Sequence, residues 1–182
     1  MKLTENAGSG WILKAVGCGG VAVVTFWIIS LTLGGMLGSA RIIGQSNMCQ
    51  SNVINMTRGF AIYAEDNEGY LPRTERWMDH LQGYIDREAR LHCPTVSHAS
   101  EPTFGYAMAN GAAYQKRSDD TRSVVLIFDS TNTTRNAAGE ETLKPIPGRH
   151  RGRMKKGDKF KPGNVVGLIG GSVKFVPDGA AP

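Results

Sequence analysis

The stretch that decides the fold is residues 49–72, CQSNVINMTRGFAIYAEDNEGYLP. With the residues just before it, this stretch places apolar side chains at Ile42, Cys49, Val53, Met56, Phe60 and Tyr63. Gaps of three, four and seven residues return to one face of an α-helix. The DNEGYLP segment then supplies Asn, Gly and Pro stop signals. The pattern predicts an amphipathic helix within residues 41–72 whose apolar face covers a folded domain.

The preceding 26 residues, Ala15 to Ala40, carry no charge and are flanked by Lys14 and Arg41. A helix needs roughly 20 apolar residues to cross a bilayer. We therefore expect a transmembrane helix over residues 15–40, after a short tail over residues 1–14, that continues without a break to about Asp66. A secretory signal peptide is the alternative, although its apolar region normally runs only about 7–15 residues.

Two further features concern the predicted span. Gly34 and Gly38 form a GxxxG pair, a spacing that lets two membrane helices approach closely and that also arises by chance in glycine-rich spans. Lys2 and Lys14 lie on the short N-terminal side. The positive-inside rule then places the N-terminus in the cytoplasm and the C-terminal domain outside the cytoplasmic (inner) membrane, in the periplasm or an equivalent compartment.

The remainder, residues 73–182, reads as one globular α+β domain. TERWMDHLQGYI predicts a short helix with Thr74 as its N-cap, and SVVLIFDS predicts a buried strand. NVVGLI and SVKFV flank Gly170 and Gly171, which predicts a hairpin with a two-residue turn. The expected fold is a long N-terminal helix packed on a small antiparallel sheet of three or four strands.

Several segments of the chain resemble a known family. The run ARIIGQSNMCQSNVINMTRGFAIYAEDNEGYLPR, then LHCP, FGYAMAN and PGRHRG…GNVVGLIGGSVKFV, together resemble pseudopilin-like proteins of the planctomycete type. The resemblance covers roughly residues 40–176. It implies a type IV pilin or type II secretion pseudopilin fold, and a structural role in a membrane-associated assembly.

The chain also departs from that family. Pilins carry a leader that ends in glycine before FTLIE, whereas the uncharged run here contains no acid. The family's Asp-Gly-His hairpin is Gly170-Gly171-Ser172 here, and Asp129 and Asp178 are too scattered to suggest a calcium site. These departures favour a permanently anchored accessory subunit over a pseudopilin subunit of a secretion or pilus-like filament, which stays the alternative.

Cys49 and Cys93 are the most informative pair for chemistry. In an exported domain they are expected to form a disulfide, whereas two separate buried thiols are expected in a cytosolic one. His92 and His98 lie near Cys93 but do not make the four-ligand pattern of zinc. No nucleophile motif or phosphate-binding loop is present either. We therefore expect no metal, no cofactor and no enzymatic activity.

Residues 144–161 form a basic loop with eight Lys or Arg residues and one acid. It is either a solvated connection or a docking surface for an anionic partner. The residues that would carry the docking surface are Arg149, Arg151, Arg153, Lys155, Lys156 and Lys159. Phe160 is the only aromatic residue in the loop, so nucleic acid is not an expected partner. The expected partners are the lipid bilayer and other membrane protein subunits, or further copies of the chain.

Overall fold

The computed structural model describes residues 10–96, 103–152 and 161–180. The first helix, α1, runs from Gly10 to Asp66. It ends at Asp66, in agreement with the stop signals that follow in the sequence. The chain divides between Arg41 and Ile42 into two units, which are described separately.

In the first unit, the described side chains of α1 are exposed, and most of those between Val23 and Leu31 are large and apolar. Seven large apolar residues between Val23 and Leu31 each have more than half of their surface exposed, and Phe26 reaches 70%. Among the described residues, no helical stretch combines the length and the hydropathy that a bilayer crossing requires. A side chain added at Gly38 would meet no atom within 4 Å, and the surroundings of Gly34 lie outside the described part.

In the second unit, the C-terminal part of α1 supplies one wall of the core. The predicted apolar stripe is buried at Cys49, Val53, Met56 and Phe60, whereas Tyr63 is half-buried and the neighbouring Ala64, which was not predicted, is buried. The ring of Phe60 stacks on Trp77 with 5.7 Å between centroids. The stripe does not extend to Ile42, which is 43% exposed, because the sheet lies beside the later turns of the helix.

The other wall is a sheet that contains six strands in the described residues. These are β1 (Tyr106–Ala109), β2 (Val125–Asp129), β3 (Ala138–Gly139), β4 (His150–Gly152), β5 (Lys161–Leu168) and β6 (Val173–Pro177). The strand order is β3-β1-β2-β5-β4, and β6 pairs with the other edge of β5. β2 and β4 therefore pair with successive parts of one edge of β5.

The prediction of an α+β fold is confirmed, but the sheet is mixed rather than antiparallel, and the described residues form six strands rather than three or four. β1 and β3 pair in parallel, with Met108 opposite Ala138, while the other pairings are antiparallel. After β2 the chain crosses to the far edge of β1 and runs in the direction of β1. β3 has only two residues, which are too few to give an alternating pattern in the sequence.

The strand predicted in SVVLIFDS is confirmed as β2, and the predicted hairpin is confirmed as β5–β6. Its turn differs from the prediction, because three residues lie between Leu168 and Ser172, whose backbones hydrogen-bond at 2.9 Å. Gly171 has φ +88° and its N–H donates to the Leu168 carbonyl. This is the three-residue loop with glycine in the left-handed region.

The predicted short helix is present as α2 (Trp77–Leu81), after a 3₁₀ turn at Thr74–Arg76. The prediction that Thr74 caps this helix is wrong. Arg76 occupies the N-cap position and makes no side-chain capping hydrogen bond. The Met78 N–H is bound instead by Asn136 Oδ1 at 2.7 Å, so a distant loop takes the place of the local cap.

Candidate functional site

The candidate site is a buried cluster beneath α1, and its first two members are Cys49 and Cys93. Cys49 lies on the core face of α1, and Cys93 follows the 3₁₀ turn Glu88–Leu91. Their Sγ atoms are 2.7 Å apart, and both residues are fully buried. The structure thus brings together the two cysteines for which the sequence predicts a disulfide, a bond whose length is about 2.0 Å.

Side chains of α1 bind the backbone of the residues immediately before and after Cys93. Asn52 Nδ2 donates to the His92 carbonyl at 3.0 Å, and Gln45 Nε2 donates to the Pro94 carbonyl at 3.3 Å. Asn52 is a buried polar residue, and its side-chain amide is satisfied by its hydrogen bond to the His92 carbonyl. These two hydrogen bonds fix the position of Cys93 relative to the helix.

Asp129 and His150 complete the cluster. Asp129 is the last residue of β2 and His150 the first residue of β4. His150 Nε2 lies 3.1 Å from Asp129 Oδ2, and the same carboxylate accepts a hydrogen bond from the Val165 N–H of β5 at 2.5 Å. Both side chains are at most 1% exposed, so this polar pair has no access to solvent.

Two buried polar atoms of the cluster lack a hydrogen-bond partner among the described residues. They are Nδ1 of His150 and the hydroxyl of Tyr106. Asp129 bonds the other ring nitrogen, Nε2. One ligating atom from each of Cys49, Cys93 and His150 lies within 4.8 Å of the others. An unpartnered polar group in such a dry place is costly, and a native structure usually provides a reason for it.

The charges of the reduced cluster are set by mutual contact. The hydrogen bond with Cys49 and the contacts with His150 and Thr95 outweigh burial and lower the pKa of Cys93 to about 4. Burial lowers the pKa of His150, but the hydrogen bond with Asp129, the proximity of Cys93 and the charges of both residues outweigh it and raise that pKa to about 9. The dithiol form therefore holds a Cys93 thiolate beside a His150 imidazolium at neutral pH.

The other groups of the cluster are shifted toward their neutral forms. The hydrogen bond to Cys93, followed by burial, raises the pKa of the Cys49 thiol. Burial raises the pKa of Asp129, opposed by the hydrogen bond from His150. Burial and the nearby charges of Cys93, Cys49 and Asp129 raise the pKa of Tyr106 well above its ordinary value. Cys49 is thus the proton donor of the thiol pair.

Two kinds of chemistry follow from this arrangement. The two sulfurs are close enough to join when an oxidant removes their electrons. Cys93, His150 and Asp129 also have the nucleophile, base and orienting acid of a thiol hydrolase. The sulfur of that triad is fully buried, so a substrate cannot approach it in this conformation.

Of the six residues predicted for a docking surface, the structure describes Arg149 and Arg151. Arg149 points inward, where its Nη1 donates to the Gly105 carbonyl at 2.8 Å and its Nη2 donates to the Ser130 carbonyl. Arg151 is exposed on β4. Arg153, Lys155, Lys156 and Lys159 lie outside the described residues. The predicted loop is also partly strand, because β4 and the start of β5 fall within it.

Sequence reasoning did not identify Asp129 and His150 as a pair. His92, the histidine beside Cys93, bonds the Thr103 carbonyl through Nδ1 at 3.1 Å, and His98 is outside the described residues. One signal was present in the sequence: a carboxylate that closes the otherwise apolar strand VLIFD needs a buried partner. The identity of that partner depends on which strands pair in the sheet, and the hydrophobic pattern of the sequence does not reveal the pairing.

Comparisons with protein-family models, with curated proteins and with solved structures each give no significant match.

Proposed function

We propose that this chain is a membrane-anchored, pilin-like structural protein that serves as a non-catalytic accessory subunit of a larger membrane complex. The observation that carries the proposal is the exposed apolar surface of α1 in the first unit. Val23, Phe26, Trp27 and Leu31 are 60–70% exposed. Transfer of such a side chain out of water contributes roughly 1.5–3 kcal/mol, so this surface favours lipid or another apolar helix.

The sequence around these residues supports the same interpretation. The uncharged run from Ala15 to Ala40 has a length suited to a bilayer core. A bilayer around this run would account for the exposure of its large side chains. The Gly34 and Gly38 pair would then offer a contact surface for a neighbouring span.

The second unit supports a pilin-like interaction domain. The apolar face of α1 from Cys49 to Ala64 packs on the sheet, and β5 approaches the helix closely at Gly167. A Cβ atom at Gly167 would lie 2.7 Å from Thr57 Cγ2 and 2.9 Å from Val53 Cγ1. A helix that covers a small sheet in this way is the arrangement that the resemblance to pseudopilins implies.

The inaccessible cluster favours a role in assembly rather than catalysis. Its one activated nucleophile, Cys93, is fully buried. Arg151 and the basic residues that follow it are proposed to dock an anionic partner, such as an acidic subunit or a lipid headgroup.

Anchoring can be tested by alkaline extraction of membranes from cells that express the full chain. We expect the wild-type protein to stay in the membrane pellet. The double variant Val24→Asp/Trp27→Asp should be released, because each carboxylate at the centre of a span costs about 2.5–3.5 kcal/mol. Ser118→Asp, on the exposed surface of the second unit, is the matched control and should stay in the pellet. Release of the wild-type protein would contradict the anchor.

A further inference from the structure

We propose that the reduced protein binds one zinc ion between Cys49 Sγ, Cys93 Sγ and His150 Nδ1. These three residues are buried, and one ligating atom from each lies within 4.8 Å of the others. They come from three separate elements: α1, the segment after residues 88–91, and β4. This set is not the Cys93, His92 and His98 group that the sequence suggests and that we set aside.

The unpartnered atoms of the cluster point to a ligand. Among the residues that the structure describes, none forms a hydrogen bond with the buried His150 Nδ1, and the lone pair of this atom is available to a metal when the ring is neutral. The Tyr106 hydroxyl is also buried without a partner in the same cluster. Burial and the charges of Cys93 and Cys49 raise the pKa of this hydroxyl, so it keeps its proton and can donate to a thiolate ligand of the ion.

The surroundings of the three ligands match the outer shell of a zinc site. A histidine that binds a metal usually bonds a carboxylate through its other ring nitrogen, and His150 Nε2 bonds Asp129 in this way. Thr95 Oγ1 lies 2.8 Å from Cys93 Sγ and can donate to the thiolate. Asp129 is thus a positioning residue that fixes the orientation of the ring.

Two sulfurs, one imidazole and a hard-to-reach interior suit zinc better than calcium or magnesium, which require oxygen ligands. With Zn–S bonds of about 2.3 Å, tetrahedral sulfurs lie about 3.8 Å apart, so the pair must separate by about 1 Å. Cys93 lies in an irregular segment, where a side-chain rotation can supply that shift. At neutral pH, zinc binding releases two protons to solvent, one from the Cys49 thiol and one from the His150 imidazolium, whose Nδ1 then carries a free lone pair.

The zinc site and the disulfide exclude each other, because both need the same two sulfurs. The oxidised chain keeps only His150 as a ligand and should not bind the ion. The proposal depends on the described core and does not depend on whether the chain is anchored in a membrane.

The test uses the full chain in detergent micelles, reduced, freed of metal and kept without oxygen. Zinc is titrated in competition with a chromophoric chelator, and Co²⁺ serves as a spectroscopic probe of the wild-type site. We expect one ion per chain and a sulfur-to-cobalt charge-transfer band. Cys93→Ser and His150→Gln should each abolish that stoichiometric binding, and Asp129→Asn should weaken it by about 10–100-fold.

The matched control is His92→Gln, since His92 adjoins Cys93 in the chain but its ring bonds Thr103 instead. Its affinity for zinc should equal that of the wild-type protein. The cobalt spectrum is recorded on the wild-type protein and so does not depend on the folding of any variant. The proposal is overturned if the folded, reduced wild-type protein leaves all the zinc on the chelator. A cobalt spectrum without sulfur bands, or full binding by Cys93→Ser, overturns it as well.

Discussion

His150 Nε2 lies 3.1 Å from Asp129 Oδ2, and this contact links two strands that do not pair with each other. β2 and β4 both pair with β5, so the side-chain contact joins the two strands that share one edge of it. The contact lies beside the two cysteines, where α1 meets the sheet. The buried ion pair, the pairing of β2 and β4 with β5, and the predicted disulfide therefore lie side by side in the core.

We expect Asp129→Asn to lower the free energy of unfolding by roughly 3–5 kcal/mol, because it leaves a buried imidazolium without its counter-charge. Urea denaturation of the full chain in detergent measures the effect. Asp119→Asn is the control, since Asp119 forms an exposed pair with Arg122 and should cost less than about 1 kcal/mol. Equal losses of unfolding free energy in the two variants would show that the buried Asp129–His150 pair stabilises the fold no more than an exposed ion pair does.

The proposed disulfide should contribute up to about 4 kcal/mol, because the two cysteines are 44 residues apart and the bond restricts the unfolded chain. Under non-reducing denaturation, an alkylating reagent should modify Cys18 but neither Cys49 nor Cys93. Peptide mass mapping checks this pattern. Cys49→Ser should lower the urea midpoint as much as reduction of the wild-type protein does. Full alkylation of Cys49 without a reductant would contradict the bond.

The dithiol form should show little change of stability between pH 6.5 and 9. The pKa of His150 is raised to about 9, so its stabilising contribution is complete below pH 6.5 and is lost as the pH rises through 9. The pKa of Cys93 is lowered from 9.0 to about 4, so its contribution grows over the same interval as the pH rises. The two proton differences cancel, which makes the slope of stability against pH close to zero.

Above pH 9 the stability of the dithiol form should fall, because folded Cys49 keeps its proton while the unfolded thiol loses it. Urea midpoints measured with reductant across this range give the profile. A loss of roughly 3 kcal/mol between pH 6.5 and 9 would mean that His150 titrates without a Cys93 thiolate beside it.

Arg149→Lys should destabilise the fold by about 1–3 kcal/mol, because an ammonium group cannot reproduce the two hydrogen bonds of the guanidinium to the carbonyls of Gly105 and Ser130. Arg151→Lys is the control for the same chemical change at an exposed position, and it should stay within about 0.5 kcal/mol. Thermal unfolding of both variants gives the comparison. A silent Arg149→Lys would mean that these carbonyls are satisfied in another way.

Gly167→Ala should cost about 1–3 kcal/mol through overpacking, since the new methyl group would lie within 3 Å of side-chain atoms of Thr57, Ile127 and Val53. Gly44→Ala adds the same methyl group on α1, where it meets no atom within 4 Å. Gly44→Ala should stabilise the fold by roughly 0.5–1 kcal/mol, because the unfolded chain loses less backbone conformational entropy at alanine than at glycine when the helix forms. The two changes should therefore differ in sign in a urea titration.

Periodicity was sufficient to predict most of the buried face of α1, because about four turns of helix repeat the same signal. The uninterrupted apolar run of β2 and the two glycines of the β5–β6 hairpin were similarly informative. The parallel β1–β3 pair was not predictable, since β3 has two residues. The Asp129–His150 contact was not predictable either. The order of the strands in the sheet brings these two residues together, and no periodic pattern in the sequence relates their positions.

The most direct test of an anchored accessory role is native mass spectrometry of the full chain, released from its own membranes in mild detergent. The account predicts a chain with Met1 still present, in stoichiometric complex with different membrane subunits, and lighter than the dithiol form by two hydrogen atoms. A chain that has lost its first 17 to 20 residues and forms ladders of its own copies would contradict the account and would identify a filament subunit instead.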